Sequence, residues 1–161
     1  MAYGNDQYTW STDPLTQFRG TIAQNAGVDL DLAMSGAATV PNPTALAGVN
    51  GDCRGSLKSL TIVSVENLAW ELILWEKAAH GTAVLGSVRF IGRWTFIAGD
   101  AVRVAGAGDY YYYIDGLDVP IVDADNTGKL HLTLINRSAA GKSANDAGAI
   151  QVRGRIVPLG Y

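Results

Sequence analysis

The chain has 161 residues, a formal net charge of −3 and 48% hydrophobic residues, which fits one globular domain burying roughly 70% of the surface its unfolded chain exposes. Arg19 is the only basic residue among the first fifty, so no nucleic acid partner is expected, because a phosphate-binding surface needs clustered Lys and Arg. One cysteine, Cys53, excludes an internal disulfide, and no apolar run approaches the roughly 20 residues that span a bilayer.

In chain order, residues 1–26 have no clean period but carry Tyr3, Tyr8, Trp10 and Phe18, which is too aromatic for a disordered tail. They are expected to form an N-terminal arm that docks on its own domain or on a neighbouring subunit, with residues 27–161 forming the domain. The polar start lacks the basic and apolar regions of a signal peptide, so export by that route is not expected. "VDLDLAM" then sets Val28, Leu30, Leu32 and Met34 in one phase, before a long loop over residues 35–52 with Pro41 and Pro43. "LKSLTIVSV" is a β-branched run, and "LAWELILWE" places Leu68, Trp70, Leu72 and Leu74 on one face. "VRFIGRWTFI" predicts a strand with Val88, Phe90, Trp94 and Phe96 inward and Arg89, Arg93 and Thr95 outward. "AVRVA" and a tyrosine run follow. "KLHLTLINR" then puts Leu130, Leu132 and Leu134 inward with His131, Thr133 and Arg137 outward, and "AIQVRGRIVPL" does the same for Ile150, Val152 and Ile156 against Gln151, Arg153 and Arg155. About eight strands and no convincing helix predict an all-β, single-domain antiparallel β-sandwich, with a jelly roll as the leading topology.

Motifs that could carry chemistry read as structure. "NRSAAGKS" ends like a phosphate-binding loop but lacks the first glycine, and a strand follows where a helix N-terminus is needed. "DADNTG" opens like a calcium loop with Asp123 and Asp125, but Leu134 stands where a bidentate glutamate should close the cage. A turn with Gly128 in the left-handed conformation is the simpler reading. His80 lies in a loop, and neither it nor His131 has a nucleophile or carboxylate at a telling spacing. Glu66, Glu71 and Glu76 read as solvated charges at turns and strand edges rather than a glycosidase pair. Cys53 reads as a structural thiol. No catalytic, cofactor-binding or metal-ligating residue is assigned, and no cofactor is expected.

The segment "GAGDYYYYIDGLDVP" is different. In a strand, Tyr110, Tyr112 and Ile114 share a core face, leaving Tyr111 and Tyr113 outward with Asp115. Two adjacent outward tyrosines suit a contact surface. Trp75, opposite in phase to Trp70, raises the same expectation. Together with "LAWELILWEK", "FIGRWTFIAGDAVRVAGAGDYYYYIDGLDVP" and "LHLTLINRSAAGKSANDAGAIQV", this block resembles small head-associated structural proteins of tailed bacteriophages, over roughly residues 57–157. The resemblance implies a non-enzymatic capsid decoration or cement protein, a β-sandwich found on the virion capsid surface and in the host cytoplasm during assembly. It implies as partners a homo-oligomer, with a trimer favoured, and the major capsid protein; no membrane partner is expected, from the lack of a bilayer-length apolar run. The residues expected at the partner interface are Tyr3, Tyr8, Trp10, Trp75, Tyr111 and Tyr113. Two alternatives stand beside it: a tail, baseplate or head-fibre component, and a carbohydrate-binding module that stacks sugars on Trp70, Trp75, Trp94 or the tyrosines.

Overall fold

The computed structural model describes residues 10–12, 17–18, 22–36, 43, 53–77, 90–103, 108–125, 127–139 and 150–158. The described chain is built from eleven strands, β1 (Trp10–Thr12), β2 (Gln17–Phe18), β3 (Gly27–Gly36), β4 (Cys53–Ser64), β5 (Trp70–Trp75), β6 (Phe90–Phe96), β7 (Val102–Arg103), β8 (Tyr110–Ile114), β9 (Val119–Asp123), β10 (Lys129–Asn136) and β11 (Ile150–Pro158). A 3-10 turn, Ala98–Asp100, joins β6 to β7.

Two pairs of short strands are each one interrupted strand. β8 pairs with the second half of β4 and β9 with its first half, and β1 and β2 pair successively with β11. Counted so, the molecule is an antiparallel sandwich of a four-stranded and a five-stranded sheet. The four-stranded sheet runs β6-β5-β10-β3, and the five-stranded sheet runs β1/β2-β11-β4-β8/β9-β7. β3 belongs to both. Its first seven residues pair with β10, and Met34–Gly36 turn onto β1, so the two sheets are continuous along that side. The strands nest like a folded hairpin: β5 with β6 innermost, β4 with β8/β9 around them, then β3 with β10, and β1 with β11 outermost.

The core fills from the alternation in the sequence. Leu30, Leu32, Met34, Trp70, Leu72, Leu74, Leu130, Leu132 and Leu134 come from the four-stranded sheet, with Leu68 from the connection into β5; Leu57, Leu60, Ile62, Ile121, Ile150, Val152 and Ile156 face them from the other. Each such side chain, fully buried, contributes about 1.5–3 kcal/mol. Tyr112 crosses the layer as the phase of the tyrosine run requires. It is fully buried, meets Phe96 edge-on at 6.2 Å, and its hydroxyl accepts from the Leu68 N–H at 2.9 Å and donates to the Leu68 carbonyl at 2.7 Å. Burial pushes this phenol up, so it stays protonated.

Three details depart from simple alternation. Leu74 faces Gly92 but Trp75 faces Phe90, so Ile91 is an extra residue and β6 bulges there. Phe90 therefore lies outward and 59% exposed, which corrects the inward position expected for it, while Trp94 is half-buried and Phe96 buried. Val88 and Arg89 lie outside the described residues. A second irregularity, at Lys58 in β4, is matched by the break between β8 and β9. Gly116 takes φ +70° there, the Leu117 N–H donates to the Lys58 carbonyl, and Lys58 Nζ and Ser56 Oγ both donate to Asp118 at 2.5 Å. β9, finally, holds Pro120 opposite Ser56 in the interrupted strand. Within the first 26 residues, the described strands β1 and β2 pair with this chain's own β3 and β11.

Candidate functional site

The sandwich presents two broad outer faces. On the four-stranded sheet, register sets three rows of outward residues: Asp31–His131–Trp75–Phe90, then Asp29–Thr133–Ile73–Arg93, then Gly27–Ile135–Glu71–Thr95. These side chains are joined. Trp75 Nε1 donates to Thr133 Oγ1 at 2.9 Å, and Thr133 Oγ1 donates to Asp29 at 2.9 Å. Phe90 stands edge-on to Trp75, with ring centroids 6.1 Å apart.

At one end of this face His131 is held between two carboxylates, Nδ1 at 2.8 Å from Asp31 Oδ1 and Nε2 at 3.2 Å from Asp123 Oδ1. Asp123 closes the turn into β10: its Oδ2 accepts from the Gly128 N–H at 2.6 Å and the Lys129 N–H at 3.1 Å, and Gly128 has φ +71°. The turn reading of "DADNTG" thus describes how this carboxylate is engaged. His131 points outward in strand phase as expected, yet it is only 1% exposed, because the turn folds over it. Burial alone would lower the imidazole's pKa, but hydrogen bonds to Asp123 and Asp31 outweigh it and leave it raised. For Asp123, burial works against the ionised form, and bonds from His131, Lys129 and Gly128 hold it below the usual carboxylate range.

At the other end Glu71 is also outward in phase but buried, which corrects its reading as a solvated charge. Arg93 Nε lies 3.3 Å from one carboxylate oxygen and Arg137 Nε 2.5 Å from the other. Arg137 Nη1 donates to Asn25 Oδ1 at 3.2 Å, and Asn25 sits in the left-handed region at φ +56°. Neither carboxylate cluster has a sequence motif. His131 and Asp31 are 100 residues apart, and Arg137 and Glu71 are 66 apart. The one available signal is phase, since Asp31, His131 and Glu71 are polar residues outward between buried apolar ones on strands that become neighbours. Cys53 is buried, with Sγ 2.7 Å from the Pro43 carbonyl.

The other outer face carries the tyrosines. Val102, Tyr111, Val63 and Gln151 form one row, and Tyr113, Thr61 and Arg153 the next, with Arg155 beyond. Val102 is 64% and Tyr113 60% exposed, Tyr111 is half-buried, and Val63 is buried. Tyr110, on the core side, lies under the Arg103 guanidinium at 5.4 Å. Desolvation and a hydrogen bond to Asp115 push the Tyr113 phenol up.

The six residues expected at an interface are therefore not one patch. Tyr111 and Tyr113 share the five-stranded face, Trp75 stands on the opposite face, Trp10 lies in β1 between β3 and β11, and Tyr3 and Tyr8 lie outside the described residues, as does His80. No family model matches the chain, and no curated protein matches it.

Proposed function

We propose that this chain is a non-enzymatic bacteriophage virion structural protein, a capsid decoration or cement protein that binds the head lattice as an oligomer through its five-stranded face. The observation that carries the reading is the strip of Val102, Tyr111 and Tyr113, apolar and aromatic, with Arg153 and Arg155 on the same face of β11, across β4. Protein interfaces have this composition, an aromatic centre with Arg enriched around it. Tyrosine adds contact area at low entropy cost and keeps a polar tip for hydrogen bonding.

The strand order supports a finer fold assignment. With interrupted strands counted once and β7 set aside as an added edge, the five-stranded sheet holds the first, eighth, third and sixth strands, and the four-stranded sheet the second, seventh, fourth and fifth. This order supports the jelly-roll reading, an architecture used by viral capsid domains and by lectins. The resemblance over residues 57–157 to phage head-associated proteins agrees with it. Avidity over many equivalent lattice sites lets each contact be modest.

The test is self-association and lattice binding of Tyr111→Ala/Tyr113→Ala. Truncated interface anchors typically cost about 2 kcal/mol or more each, so the double variant is expected to stay folded and to lose affinity by more than a hundredfold in sedimentation. Unchanged association and unchanged head binding would remove this face from the assembly.

A further inference from the structure

We propose that the four-stranded face carries a binding site for an acidic saccharide, a sugar ring bearing a carboxylate, with Phe90 and Trp75 as its stacking edge and Arg93 as the partner of the carboxylate. This goes beyond the assembly role, which rests on the opposite face.

The bulge at Ile91 is the first support. Without the extra residue, Phe90 would continue the inward phase of Trp94 and Phe96; with it, a large apolar ring stands 59% exposed beside Trp75. Bulges re-aim side chains in this way next to functional sites. The second support is rigidity. The indole is fixed through Nε1 to Thr133 and through Thr133 to Asp29, so little freedom is left to lose when a ligand docks against it.

The third is the charge beside the rings. Arg93 faces Ile73, two residues along β5 from Trp75, which places it one row away, roughly 7 Å along the strand. Its Nε is occupied by Glu71, and its side chain is 59% exposed. Glu71's other oxygen already accepts from Arg137. Two guanidinium groups around one carboxylate leave a local surplus of one positive charge toward the β6 edge, with Asp29 and Asp31 three strands away on β3, and the terminal N–H groups of Arg93 can take a second carboxylate in fork geometry. A pyranose ring presents a C–H face to an aromatic ring, and a carboxylate on its rim then reaches the guanidinium. Among the described residues the exposed apolar surface here is the Phe90 ring beside the half-buried Trp75, a width that suits one pyranose ring.

The experiment titrates the whole protein with oligogalacturonate, with a neutral gluco-oligosaccharide of equal length and with inorganic sulfate, by calorimetry and amide shift mapping at low salt. Oligogalacturonate is expected to bind and to shift amides of β5 and β6, the neutral oligosaccharide to bind roughly tenfold more weakly, and Arg93→Gln to bring the two to the same level. Phe90→Ala, at an exposed ring, should weaken both sugars with the melting temperature unchanged; Arg93→Gln should also stay folded, since Glu71 keeps Arg137. Several results would overturn the site: no sugar binding, equal binding of acidic and neutral sugars by the wild type, or sulfate binding as tightly as oligogalacturonate with Phe90→Ala without effect, which would mean a plain anion surface. So would loss of head binding in Arg93→Gln with sugar binding intact, which would assign the patch to a protein contact. The sugar-binding outcomes do not bear on the tyrosine face, and the head-binding outcome is read against Tyr111→Ala/Tyr113→Ala, so the two readings fail separately.

Discussion

At the scale of the residue, His131 is the group on which pH should act. Its pKa is raised in the folded protein, because the bonds to Asp123 and Asp31 outweigh burial. Its contribution is therefore complete below the ordinary histidine value of about 6.5 and is lost as pH rises through the folded value. Asp123, held low, works in the opposite sense: its contribution is present above the ordinary carboxylate value and fades as pH falls through the folded one. The groups facing His131 are Asp31 on β3, Trp75 on β5 and Asp123 at the end of β9. The melting temperature should thus be flat from mildly acidic pH to about 6.5 and fall above it. His131→Asn should flatten that alkaline slope and, by leaving Asp123 buried without its cation, cost about 3 kcal/mol near neutrality; a wild-type curve that rises between pH 6.5 and 9 would contradict this. Tyr112→Phe makes a second test. It keeps the ring and deprives the Leu68 N–H of its acceptor, so about 1–2 kcal/mol should be lost by urea titration with no change of fold.

At the scale of the element, much of the sandwich was legible. Alternating leucines in "LAWELIL" and "KLHLTL" name the inward residues of β5 and β10, and in the tyrosine run Tyr112 takes the core position that phase assigns it. What escaped depends on residues that break phase or meet only through register. Ile91 shifts Phe90 to the outer face with nothing in "RFIGRW" to mark it except Gly92, whose missing Cβ leaves room for the Trp94 ring. β1 and β2 are too short to show a period, and Pro120 disguises β9. The carboxylate clusters on His131 and on Arg93 and Arg137 assemble only once β3, β10, β5 and β6 are neighbours. Close packing of β4 on β11 gives a sharp prediction of its own. A Cβ at Gly55 would collide with Ile156 Cγ2 and lie 3.0 Å from the Val157 carbonyl oxygen, part of a backbone that cannot step aside. Gly55→Ala should therefore cost roughly 1–3 kcal/mol, and more than Gly92→Ala, where the obstacle is the end of the half-buried Trp94 side chain. Equal stability of the two variants in urea would show that β11 yields at this point.

At the scale of the whole molecule, β1 ties the two sheets together. It pairs with β3 on one side and β11 on the other, so deleting residues 2–18 should expose two strand edges, lower the melting temperature by several degrees and promote aggregation. A fully soluble truncation with wild-type melting would mean that this junction is dispensable. The central claim, that the tyrosine face docks on a phage head, is tested most directly by mixing purified protein with preformed heads that lack it and with isolated tails, then pelleting each. A ligand that binds only the intact shell stabilises it by about 2.7 kcal/mol per site at a hundredfold excess over Kd. The protein is expected to sediment with heads and raise their resistance to heat, and as Tyr111→Ala/Tyr113→Ala to do neither. Sedimentation with tails alone, or with neither particle, would contradict it.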